Sequence, residues 1–415
     1  MKKVNCIILT YGIFLLLSPL VSAQEVELLR LEEAIEMAGE NNPVYRALQS
    51  QEDEIKYSCK SESELVQPEL SYTREGLGDS DEFFEQRIAF SQTLEQPLSL
   101  LQESKATEYR LKAYTQRKEA FHRQLVEDVK SQYVRVLYAR YMDSLMAQRI
   151  ELIENLKSAV QFTYEAGSAD KIDLLNAGVR LDKAKNQKNA SEAELHRERY
   201  RLFEIIGLQP ENQHYEIMFA DSLRTHEPKI SQGDVLASLE EYPDYQQYLF
   251  DIRANEHKLK AAKAGWLPSV SVAYYQQDFS NGFNYQGFEV GIGIPLWGAF
   301  NIRGDVKTRT AILEQTNWQA EGKMLEMKRQ VEQAWHAYEE TREIIRRYQD
   351  NQQDETEELL NLTQEAYRLG QIDLMRLIDA QQLYLDNQEV YLAALRDYYI
   401  YLIQLEKYLN QQLVY

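Results

Sequence analysis

The sequence predicts a mainly α-helical fold with a small β part, written as two copies of one unit. Two long proline-free stretches rich in helix-forming residues, short alternating runs ahead of each, and a set of residues recurring about 200 positions later carry that expectation. Gly (17) and Pro (9) are scarce in 415 residues, which argues against a turn-rich sandwich. With 46 Lys+Arg against 66 Asp+Glu, the net charge of −20 also argues against a nucleic-acid partner.

Lys2 and Lys3 precede an apolar run from Ile7 to Leu17, and Val21-Ser22-Ala23 supplies the small residues of a cleavage site. Residues 1–23 therefore read as a signal peptide, with the mature chain starting at Gln24. The run is shorter than the about 20 residues that a membrane-spanning helix needs. Cys6 lies before the run, where it cannot take a lipid anchor, and Cys59 is left without a disulfide partner. No later stretch reaches about 18 apolar residues, so an exported chain is left with the periplasm, the exterior, or the outer membrane as a β-barrel.

The repeat is read from paired landmarks. Pro43 and Pro68 recur as Pro243 and Pro268, both at an offset of 200. Phe84-Glu85 with Ile88-Ala89-Phe90 matches Phe288-Glu289 with Ile292-Gly293-Ile294 at 204, and Tyr164 to Gly167 matches Tyr367 to Gly370 at 203. The chain divides into a first repeat, 24–207, a connecting segment, 208–231, and a second repeat, 232–415.

Residues of about 100–166 and 303–369 predict very long helices, each of which would span about 100 Å at 1.5 Å per residue. Gly167 and Gly370 predict the hairpin turns, followed by second helices that run to about Gly207 and Gln412. A 3-4-3-4 stripe from Leu377 through Tyr391 and Tyr398 to Tyr408 predicts left-handed side-by-side packing. Its counterpart runs from Leu174 to Ile205. Lys188, Glu198, Asn387 and the tyrosines make the stripe too polar for a dry seam throughout, which suits a wide tube with one wet face.

The alternating runs predict four short strands. Val270, Val272 and Tyr274 share one face, as do Phe288, Val290 and Ile292, against small or polar neighbours. In the first repeat Leu70 and Tyr72, then Phe84, Ile88 and Phe90, form the weaker equivalent, interrupted by Gln86. Tyr274, Tyr275, Phe279, Phe283 and Tyr285 suggest an interfacial aromatic girdle. Four strands cannot close a barrel, and open edges cannot face hydrocarbon, so membrane-spanning strands would require several chains.

Leu31-Glu32-Glu33-Ala34-Ile35-Glu36-Met37-Ala38 with Asn41-Asn42-Pro43, Trp266 to Ser271, the strand end Gly293 to Leu296, and the Tyr-x-x-Gly turns together resemble the outer-membrane efflux protein family, the TolC-like channel-tunnels. The compact middle and Ser91-Gln92-Thr93-Leu94 are similar to its CzcC- and CusC-like heavy-metal branch. The resemblance implies a homotrimer with a 12-stranded barrel among outer-membrane lipid and a helical tunnel in the periplasm. It also implies a periplasmic adaptor and an inner-membrane RND or ABC transporter as partners. The family's gate tyrosine falls on Tyr367, and its two acidic positions fall on Arg376 and Asp379, the first a reversed charge. Asp373, Asp170 and Asp173 are further gate candidates, although Asp170 and Asp373 also fit helix caps, and Arg376 with Asp379 a surface pair.

No catalytic constellation, metal site or cofactor is expected. The six histidines are scattered, and no Gly-rich phosphate loop opens a helix. The competing reading is an exported coiled-coil scaffold or stalk, which leaves the duplicated strands without a purpose.

Overall fold

The computed structural model describes residues 29–62, 66–76, 85–94, 96–167, 169–208, 227–296, 298–409 and 411–414. The expected signal peptide, Phe84 and most of the connecting segment lie outside the described residues.

Two successions of helix, helix, strand, strand and long helical hairpin follow one another. The first is α1 (Leu31–Asn41), α2 (Pro43–Glu62), β1 (Glu69–Glu75), β2 (Glu85–Leu94), α3 (Pro97–Glu165) and α4 (Lys171–Ile206). The second is α5 (Gln232–Ser238), α6 (Pro243–Ala264), β3 (Ser269–Phe279), β4 (Asn284–Gly293), α7 (Gly298–Arg347), α8 (Gln353–Arg368) and α9 (Leu374–Glu406). Pro43 and Pro243 each open a helix, where the missing N–H has no intrahelical partner to lose. Asn42 prepares the first of these: its Oδ1 accepts from the backbone N–H of Val44 and Tyr45 at 3.0 Å each. Its amide nitrogen donates to the Ile205 carbonyl at 2.9 Å, tying the start of α2 to the end of α4.

The 69-residue α3 is unbroken, about 100 Å long at 1.5 Å per residue. Its counterpart differs from the expectation of one continuous helix over 303–369. A π turn, Tyr348–Gln352, separates α7 from α8. Such a turn carries an extra residue and needs no Gly or Pro, so composition does not announce it. Tyr348 at the turn stacks on Tyr391 of α9, with ring centroids 4.1 Å apart. The last helix ends at Glu406, short of the expected Gln412, because the chain turns back on itself there.

The main core lies where the middles of α3 and α7 meet the ends of α4 and α9, with α1 and α5 packed alongside. Val129, Leu202, Ile206, Met327, Val331, Leu402 and Leu405 are fully enclosed. Each such large side chain contributes about 2 kcal/mol of burial. Every position of both predicted seams is buried or half-buried. Two of the polar members, Lys188 and Glu198, are paired across helices. Lys188 pairs with Asp143 at 2.7 Å, and Glu198 accepts from Gln132 at 2.6 Å and Arg201 at 2.8 Å.

Beside this core the chain end is clamped. The buried Lys130 pairs with Glu406 and donates to the Val414 carbonyl at 2.7 Å, while Glu406 accepts from the N–H of Leu413 and Val414 at 3.2 and 2.9 Å. Removing one member of a buried pair leaves the other charge uncompensated. Lys130→Ala is expected to cost about 3 kcal/mol, read as a lowered thermal midpoint; an unchanged midpoint would show that the clamp carries no stability.

Candidate functional site

The four strands form one antiparallel sheet in the order β1-β2-β3-β4. Its register gathers the apolar positions of all four strands into shared rows. Leu70, Phe90, Tyr274 and Phe288 make one row, Tyr72 and Ile88 lie in the next, and Val272 pairs with Val290 and Val270 with Ile292 on the other side. This face stands open: Leu70 is 73% exposed, Phe288 79% and Val290 67%. Val270 alone among the described strand candidates is half-buried. Four rows cover about 20 Å along a strand, and Ile294, Leu296, Leu267 and Trp266, beyond the strand ends, are exposed as well.

The opposite face is small or polar, with Ser71, Ser91, Ser269, Ser271, Ala89, Ala273, Gly291 and Gly293 among the ladder partners. Alternation also corrects the expected girdle. Tyr274 packs with Phe288 on the apolar face at 5.4 Å, but Tyr275, Phe279 and Tyr285 fall at positions of the polar face.

The repeat register is corrected too. Leu70 pairs with Phe90, and Val270 with Ile292, so the second strands correspond at an offset of 202 rather than 204. A slip of two residues keeps every side chain on its face, so alternation alone does not detect it. Among the described residues, the sheet leaves β1 and β4 as unpaired edges.

At the far end of the helices, Gly167 and Gly370 turn the two hairpins with φ of +75° and +69°, a region that costs a residue with a Cβ. Asp170 caps α4, accepting from the N–H of Ile172 and Asp173 at 2.7 and 3.0 Å. Asp373 caps α9 through the Arg376 N–H at 2.9 Å. Leu156, Val160, Leu174, Ala177, Tyr367, Ile372, Leu374, Leu377 and Ile378 form one apolar cluster, so both hairpin ends share a core. Asp373, Arg376 and Asp379 are exposed beside it, and no ion pair joins Arg376 to Asp379 among the described residues.

Sequence reasoning missed a clasp higher up. Arg149, 9% exposed in its side chain, links α3 to α9 through Glu389 at 2.8 Å and to α4 through Gln187 at 3.3 Å. Its partners lie 38 and 240 positions away, and no local motif marks them.

Among the described residues, no helix is long and apolar enough to cross a membrane, and no group of His, Cys, Asp or Glu is placed to hold a metal ion. Among these elements, the sheet presents the exposed apolar band. The sequence model for outer membrane efflux proteins matches residues 34–208 and 236–411. The chain belongs to that family.

Solved structures agree on the fold. CusC superposes with a TM-score of 0.78 at 17% identity, covering 91% of each chain. VceC of Vibrio cholerae gives 0.77 at 12% identity, over 91% of this chain and 95% of that one. The open-state MtrE channel of Neisseria gonorrhoeae gives 0.74 at 18%, over 91% and 88%. OprN matches as well as CusC, at 0.78, so the fold does not single out the heavy-metal branch. No curated protein matches the sequence. The family places the chain in the outer membrane as an efflux channel, the exit duct through which substrates leave.

A charge on the apolar face should block insertion. Arg at the bilayer midplane costs about 2–4 kcal/mol per copy, so Val290→Arg is expected to deplete the protein from the outer-membrane fraction. Ser91→Arg, on the polar face, should leave it there; equal depletion of both would contradict the assignment of faces.

Proposed function

We propose that three copies of this chain, each built from the repeats 24–207 and 232–415, close into a 12-stranded barrel continued by a helical tunnel. The observation that carries this is the sheet itself: one exposed face with an apolar band, one face of small and polar residues, and two edges unpaired among the described residues. In hydrocarbon those edges need partners, and a cyclic arrangement in which β1 of one copy meets β4 of the next supplies them. Exposed Ile172, Leu175 and Val179 on α4, and Leu359 and Leu362 on α8, give the helical sector apolar flanks for the same contacts.

In this reading the duct is passive. An inner-membrane RND or ABC transporter, joined through a periplasmic adaptor, selects and delivers the substrate. The hairpin ends around Gly167 and Gly370 make the narrowest point. Tyr367 packs into the shared cluster that holds both ends together, while Asp373, Arg376 and Asp379, with Asp170 and Asp173 from the first repeat, surround the opening. Capping fixes Asp170 and Asp373 in place, which leaves Asp379, Arg376 and Asp173 as the charges free to face the passage.

A scaffold or stalk would need the hairpins but not an exposed apolar sheet. Purified protein should therefore migrate as a trimer in detergent and conduct ions in a planar lipid bilayer. Asp379→Ala should change the conductance or cation preference of those channels; an unaltered current would remove Asp379 from the gate, and a non-conducting monomer would overturn the reading.

A further inference from the structure

Among the described residues, the polar face of the sheet carries Glu69, Glu75, Glu85 and Glu289 but a single base, Arg87. Arg87 reaches across two strands, its Nη2 donating to Glu289 Oε2 at 2.8 Å. On the way its guanidinium carbon lies 4.2 Å from the centroid of the Tyr275 ring. That ring rests where Gly287 has no side chain: a Cβ at Gly287 would fall 2.6 Å from the ring and its hydroxyl. Any larger residue at Gly287 would push the ring, and with it the guanidinium, off the sheet.

Four residues on three strands thus make a fixed station, not a loose surface pair. The corrected register adds a second observation. At the offset of 202, Arg87 and Glu289 occupy equivalent positions of the two repeats, one copy supplying the base and the other the acid.

We infer that Arg87 is a charge-discriminating residue of the duct at the level of the outer membrane, distinct from the hairpin-end gate. The inference rests on the duct reading above. The polar face, turned inward, presents an excess of carboxylates and favours cations and cationic solutes. Arg87 moderates that preference by cancelling Glu289. Because the pair is largely exposed, at 37% and 61%, breaking it has little effect on stability, so variants keep the fold. The field of such wall charges reaches about 10 Å at 0.1 M salt and about 30 Å at 0.01 M, so discrimination strengthens on dilution.

The test is the reversal potential of bilayer-inserted protein under a KCl gradient starting from about 0.01 M. Arg87→Gln makes the wall one charge more negative per chain and should raise the K⁺/Cl⁻ permeability ratio roughly twofold. Glu289→Gln should lower it by a similar factor, and the double variant should return it to the starting value. Arg87→Lys, which keeps the charge but not the flat stack, should leave the ratio unchanged; a merely structural role would move it. Conducting channels whose ratio is the same in both single variants, or shifts the same way in both, would overturn the inference while leaving the duct intact. No conductance from the unaltered protein would overturn the duct reading and this inference with it.

Discussion

A strand edge presents a row of N–H and C=O groups, and in hydrocarbon each one left unpaired costs several kcal/mol. Everything distinctive in this molecule follows from meeting that constraint with only four strands per chain. The sheet order β1-β2-β3-β4 pairs the inner strands and leaves two edges. One apolar row, Leu70, Phe90, Tyr274 and Phe288, crosses all four strands, and the rows beside it mix apolar side chains with glutamines. In the trimer we propose, closure comes from sister copies of the chain.

The helices answer a different requirement. A tube wide enough to pass solutes cannot fill its middle with side chains, so its walls need contacts along their flanks and tolerate water on the inner face. The seams of α4 and α9 meet this with a mixed stripe. Leucines, alanines, Tyr398 and Tyr408 pack in the core, while half-buried Lys188 and buried Glu198 find partners on a neighbouring helix. The hairpin ends are joined by a small apolar cluster separate from the main core. A small cluster is easier to rearrange than a large one, which suits the gate proposed at this end.

Much of this was legible because it is periodic or punctuated. The 3-4 rhythm from Leu377 to Tyr408, the alternation from Val270 to Ile292, and the glycines at 167 and 370 each report local geometry that the chain cannot hide. What was not legible lacks a local signature. The π turn at Tyr348–Gln352 changes the helix by one residue without a breaker. The true strand offset of 202 differs from the apparent one by a full period of the alternation, so faces were right and equivalences wrong. The Arg149 clasp and the Arg87 station pair residues 240 and 202 positions apart, and only the folded register brings them together.

The most direct measurement of the central claim joins the two edges covalently. In a chain with Cys59→Ser, cysteine at Thr73 on β1 is combined in turn with cysteine at Tyr285, Gly287 or Glu289 on β4, all on the polar face. A disulfide needs Cα atoms within about 7 Å, a distance that only neighbouring strands provide. Oxidation in outer membranes should give, for one of these combinations, a ladder of covalent dimer and trimer with nothing larger. Absence of any cross-link, or a bridge formed within one monomer, would contradict closure by sister copies.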